Sequence, residues 1–138
     1  MRYMFLIYSR EHPSDRSEEE LERLRAAHYA VMDEAKSNGV FQSAEPLQAT
    51  ITATTVRMEG GKPLILDGPF AETKEQLAGY YILDCDNLDE AISWATKIPT
   101  SCKGGEGCIE IRPIADLPYL RAMARANSSC HATPKFAR

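Results

Sequence analysis

Apolar residues change their period from one segment of this chain to the next, and the changes mark out its elements. From Arg2 to Tyr8 both alternating sets are apolar, Tyr3/Phe5/Ile7 and Met4/Leu6/Tyr8. That pattern predicts a central strand covered on both faces. Beyond the breaker Pro13, Ser17 stands three residues before Glu20 as a capping box, with Glu18 and Glu19 suited to the positive end of a helix. Leu21, Leu24, His28, Val31, Met32 and Ala35 then recur at three- and four-residue spacing. They form one apolar stripe with a single imidazole in it, until Asn38-Gly39 supplies a left-handed stop.

Val40 to Pro46 reads as a short strand, and Thr50 to Met58, rich in Thr, Ile and Val, as another. Glu59-Gly60-Gly61-Lys62 turns the chain into Pro63 to Leu66, completing a hairpin. Asp67-Gly68-Pro69-Phe70 breaks it, because Pro69 cannot donate to a ladder, and a functional loop is expected there. Glu72 to Glu75 predicts a short helical turn, and Phe70 a plug in the core beneath it. Ala78 to Cys85 again has two apolar faces. Asn87 opens a second helix that directs Leu88, Ala91, Ile92 and Ala95 to the core and ends near Pro99. Thr100 to Gly107 is a polar connection and Cys108 to Ile114 a last strand with Ile109 and Ile111 inward. Leu117, Leu120 and Met123 suggest one short closing helix. Residues 1–126 read as one domain and residues 127–138 as a flexible tail.

Strand, helix, strand, inserted hairpin, strand, helix, strand is a split βαβ order. It predicts an α+β, ferredoxin-like domain with both helices on one face of an antiparallel sheet. The other face is left without a cover. Since the two central strands are apolar on both sides, a second copy packed sheet to sheet is the simplest cover, and a homodimer is expected.

Charge and composition narrow the classes. The chain of 138 residues is 43% apolar and 26% charged, which suits a folded globule and not a disordered chain. A net charge of −4, with its cations scattered, argues against a nucleic-acid partner. No apolar run is long enough to span a bilayer, so no membrane partner is expected and a cytoplasmic setting is. Four cysteines, Cys85, Cys102, Cys108 and Cys130, include no CxxC pair, so free thiols are the default. Cys102, Cys108 and Cys130-His131 make the best zinc argument, yet their spacing fits no compact module. There is no P-loop and no GxGxxG, and no cofactor or metal is expected.

The run L-I-L-D-G-P-F-A-E-T-K-E-Q-L-A-G-Y-Y-I-L-D-C-D-N-L-D-E-A, Leu64 to Ala91, resembles the signature of the bacterial YCII-related proteins of the DGPF type. The flanks resemble them too: Met1 to Tyr8 their first strand, Gly39 to Leu47 their second, Ala53 to Arg57 their hairpin, and Ile109 to Pro113 their I-E-I-R-P ending. The resemblance implies a dimeric α+β barrel of ferredoxin-like protomers. It also implies a regulatory or stress setting, because members are often encoded beside sigma factors of the extracytoplasmic-function class. Smaller YCII proteins carry a His and Asp pair proposed as catalytic. No counterpart of that His stands out here, since His28 sits inside a helix whose family pattern does not require it.

Asp67 is the foremost candidate for chemistry. Before Gly68-Pro69 its carboxylate either accepts backbone N–H bonds and fixes the turn, or faces a cleft as a general base or anchor for a cationic group. Glu72 and Lys74 in the same loop offer an acceptor and a donor to a polar ligand, beside the plainer reading as helix-capping groups. His28 is a secondary catalytic candidate, though a lone His on an apolar stripe is more often a satisfied core or interface residue. Tyr80 and Tyr81 put one phenol on each sheet face, one for a cleft and one under a helix. Arg57 and Arg112 are placed to neutralise a carboxylate or simply to sit in solvent. Two functions follow: a small-molecule binder or small enzyme with Asp67 in a polar pocket, or a non-catalytic dimeric regulatory module.

Overall fold

A computed structural model describes residues 1–11, 16–100 and 106–129. Six strands and three helices follow in the order β1 (Arg2–Ser9), α1 (Glu18–Ser37), β2 (Phe41–Pro46), β3 (Thr54–Glu59), β4 (Lys62–Asp67), β5 (Gln76–Asp84), α2 (Leu88–Ala95), β6 (Cys108–Pro113) and α3 (Pro118–Ser129). Four strands form one sheet in the order β2-β5-β1-β6, antiparallel throughout, while β3 and β4 form a separate ribbon. This is the ferredoxin-like split βαβ order with a hairpin inserted after its second strand. Strand β1 lies at the centre because it is the segment apolar on both sets of alternating positions.

The register decides which set faces the helices. Tyr3, Phe5 and Ile7 of β1 and Tyr81 and Leu83 of β5 are buried, and Ile109 and Ile111 of β6 pack against them. Helix α1 covers this face with Val31 and Ala35, and α2 with Ala91 and Trp94. Phe5 and Leu83 are fully shielded, and burial of each such side chain stabilises by about 2–3 kcal/mol. The opposite set, including Met4, Leu6, Tyr8, Tyr80 and Ile82, is half-buried and lies on the face turned away from the core under α1 and α2.

Local signals explain the element ends. Ser17 Oγ accepts from the Glu20 N–H at 3.2 Å while a Glu20 carboxylate oxygen accepts from the Ser17 N–H at 3.1 Å, completing the capping box. Asn87 Oδ1 caps α2 by accepting from the Glu90 N–H at 2.9 Å. Gly60 and Gly61 both take positive φ, +54° and +79°, the pair of left-handed residues that a two-residue hairpin loop requires. Gly79 answers a different need: a Cβ there would meet the Glu45 carbonyl oxygen at 2.7 Å, so only glycine lets β2 approach β5.

Four expectations are corrected. Residues Thr50–Thr52 form a 3₁₀ turn, and β3 begins at Thr54, because the Thr50 N–H and hydroxyl are taken by the Glu11 carboxylate instead of a ladder. Glu72 to Glu75 makes no helical turn. Thr73 and Gln76 side chains bond the local backbone there and hold an irregular loop. Phe70 is 76% exposed and plugs nothing, since the loop carries it away from the sheet. Leu88 and Ile92 are largely exposed, and it is Trp94, with the Lys97 ammonium 4.7 Å from its ring centroid, that joins Ala91 in the core. Helix α3 runs from Pro118 through Ser129. Pro13, Cys102, Cys130 and His131 lie outside the described residues.

Candidate functional site

The DGPF loop lines a cleft of about 530 Å³. Strand β4 delivers Asp67 to its wall, and Gly68, Pro69, Ala71, Glu72 and Thr73 continue it. Gln76 at the start of β5 and the 3₁₀ turn of Thr50 and Ile51 close the other side. Asp67 and Glu72 therefore meet hydroxyl, amide and apolar groups in one concavity, and no Lys, Arg or His belongs to its lining.

The turn does not need the Asp67 carboxylate to hold it. The Gly68 N–H donates to the Ala53 carbonyl at 2.7 Å, and Thr55 Oγ1 donates to the Gly68 carbonyl at 2.8 Å. The Asp67 side chain is exposed and makes no hydrogen bond or ion pair among the described residues. Its carboxylate is free to accept from a ligand.

A second layer fixes the cleft's walls. Glu11, on the segment after β1, accepts from the Thr50 N–H at 2.8 Å and from Thr50 Oγ1 at 2.9 Å. The Glu11 N–H in turn donates to Gln76 Oε1 at 3.0 Å, and Gln76 Nε2 donates to the Thr73 carbonyl at 2.5 Å. Glu11, by its carboxylate on one side and its backbone N–H on the other, thus ties the 3₁₀ turn to Gln76 of β5, which in turn holds the loop. Sequence reasoning missed Glu11, Thr50 and Gln76. The paired hydroxyl and N–H of a turn-forming Thr was the available signal, but its acceptor is 39 residues away.

The other candidates lie elsewhere. Lys74 is exposed on the loop outside the cleft lining, and Arg57 is exposed on β3. Tyr80 faces the open side of the sheet. Tyr81 is 3% exposed beneath α1, where its hydroxyl lies 2.7 Å from His28 Nδ1 and the two rings stack with centroids 5.8 Å apart. Burial pushes the His28 imidazole below its ordinary value and the Tyr81 phenol up to about 12. The two satisfy each other inside the fold and do not reach the cleft. Arg112 pairs with Glu110 at 3.6 Å on the surface of β6.

Cys85 and Cys108 are free thiols. Burial, then Glu90 and Asp84, push Cys85 up to about 11. Partial desolvation, then Glu75, raise Cys108, whose Sγ lies 3.7 Å from Glu75 Oε2. Both are held as thiols and not as nucleophilic thiolates. Among the described residues no group of three His, Cys, Asp or Glu is placed to hold a metal ion, and no helix is long and apolar enough to cross a membrane.

Fold and site together define an α+β domain of ferredoxin-like topology, with an inserted hairpin that ends in an acidic cleft. The family model for the YCII-related domain matches residues 1–118, and the chain belongs to the YCII-related family. The uncharacterized protein R00369 of Rhizobium meliloti (strain 1021) is 38% identical over 116 residues, covering 83% of this chain and 93% of that one. Among solved structures, 5-chloro-2-hydroxyhydroquinone dehydrochlorinase (TftG) from Burkholderia phenoliruptrix AC1100, in complex with 2,5-dihydroxybenzoquinone, is 16% identical. That comparison covers 86% of this chain and 98% of the other, with a TM-score of 0.43.

Proposed function

We propose that this chain binds a small polar organic molecule in the cleft of the DGPF loop, with Asp67 as the anchor or acid/base group and Glu72 beside it. The observation that carries the reading is the Asp67 carboxylate, set on a concave wall while the turn around it is held by other bonds. A cleft with two carboxylates and no cation favours ligands that bring hydrogen-bond donors, amines above all.

A thermal-shift screen against amines, polyols and carboxylic acids tests this, run on the wild-type chain and on Asp67→Asn. Donor-rich compounds should raise the wild-type melting temperature, and Asp67→Asn should weaken them by about 10- to 100-fold, the worth of one charge-assisted hydrogen bond. Hits that bind Asp67→Asn as well as wild type would refute it.

The same reading keeps a second copy of this chain over the open face of the sheet, making a homodimer. Its support is the apolar centre of that face, Leu6, Tyr80, Met4 and Ile82, bordered by Glu45 on β2 and Glu110 on β6.

A further inference from the structure

Among the described residues, the strands carry two apolar surfaces outside the core, beside the exposed Leu117, Tyr119, Leu120 and Met123 at α3. One is the open sheet face. The other is one side of the β3–β4 ribbon, where the register sets Val56 opposite Ile65 and Met58 opposite Pro63. Alternation places all four side chains on the same side of the ribbon. Val56, Met58 and Ile65 are 61%, 67% and 66% exposed. A two-stranded ribbon is only marginally stable in water by itself, and this one shares no ladder with the four-stranded sheet. It is an arm with a bare apolar side.

We propose that the arm lies on a second copy of this chain, its Val56, Met58, Pro63 and Ile65 seated on the partner's open sheet face. The proposal deepens the homodimer reading above and rests on it. The two surfaces match in character. A two-fold axis makes the arm-to-sheet contact twice, so each protomer loses both bare surfaces in one step. The area suffices as well. Four side chains exposing about 100 Å² each, counted over two arms and the sheet surface they cover, come to about 1,600 Å², the size of a stable protein interface. Charge does not oppose the contact, since Arg57 and Lys62 balance Glu59 and Asp67 along the ribbon. Because β4 runs directly into Asp67 and Gly68, seating the arm also fixes one wall of the cleft, and the partner completes the frame of the site.

Sedimentation equilibrium on the wild-type chain and on Val56→Lys/Ile65→Asp tests the arm. Both positions are exposed and face each other across the ribbon, so opposite charges there keep a favourable cross-strand pair while removing the apolar surface. The wild type should be dimeric at micromolar concentration, and the variant should dissociate at least about 100-fold more readily, with an unchanged circular dichroism spectrum. Should the charged pair prevent folding, Val56→Thr/Ile65→Thr replaces it, with an expected weakening of about tenfold. Unchanged dimer affinity in the folded variant would overturn the arm and leave the homodimer standing. A wild type that stays monomeric would overturn both.

Discussion

Replacing Tyr81 by Phe removes one oxygen from the core and leaves everything else in place, which makes it a sharp test of the contact between α1 and β5. The Tyr81 hydroxyl and His28 Nδ1 lie 2.7 Å apart and share one hydrogen bond, its donor set by the ring tautomer. Deleting the hydroxyl loses that bond and leaves a half-buried nitrogen without its partner, a cost of about 1–2 kcal/mol at pH 8. The same phenol is pushed from 10.0 up to about 12 by burial. A folded value above the unfolded one contributes stability that is complete below pH 10 and is lost as pH rises toward 12. By pH 11 the wild type should have lost about 1.4 kcal/mol from this group, and the Phe variant none of it. Other tyrosines titrate equally in both proteins and cancel in the difference. Urea unfolding of the two chains at intervals from pH 8 to pH 11 reads the gap, which should shrink to near zero. A gap that stays constant over this range would refute the buried phenol and its bond to His28.

Two further outcomes follow from the geometry. His28 is held below its ordinary value of 6.5 by desolvation, so the unfolded chain takes up its proton first and stability falls as pH drops below about 6.5. His28→Gln should flatten that limb of the pH–stability curve measured between pH 5 and 7, and an unchanged slope would contradict the burial. Gly79→Ala puts a methyl 2.7 Å from the Glu45 carbonyl oxygen and 3.1 Å from Pro46 Cα, both backbone. Moving β2 away should cost about 1–3 kcal/mol, read as a lower urea midpoint, and a neutral substitution would mean that β2 yields freely.

The elements were legible in the sequence wherever one local rule governed them. Ser17 and Glu20 announce the start of α1, Gly60-Gly61 the hairpin, and the doubly apolar β1 and β5 the centre of the sheet. Local rules failed where a distant group took over. The 3₁₀ turn at Thr50 depends on Glu11, and the loop at Thr73 on Gln76, so neither irregularity shows in its own window. The apolar count of α2 misled because Leu88 and Ile92 match the helical period while the bulk of Trp94 decides which side turns inward. At the cleft, the break at Asp67-Gly68-Pro69 marked the end of β4 and the start of the lining loop. The tie from Glu11 through Thr50 to Gln76 was invisible, because topology and not spacing brings those residues together.

The central position of β1 carries a cost during synthesis. Its neighbours on both sides, β5 and β6, are made last among the strands, starting at residues 76 and 108. At translation rates of about 5–20 residues per second, Phe5 and Ile7 wait roughly 3.5–14 s before the first strand able to pair with them has begun to be made. Through that interval the nascent chain trails a sticky, unmatched segment from the ribosome. Shelter of Arg2–Ser9 over that interval therefore bears on the yield of the folded domain, alongside its final stability.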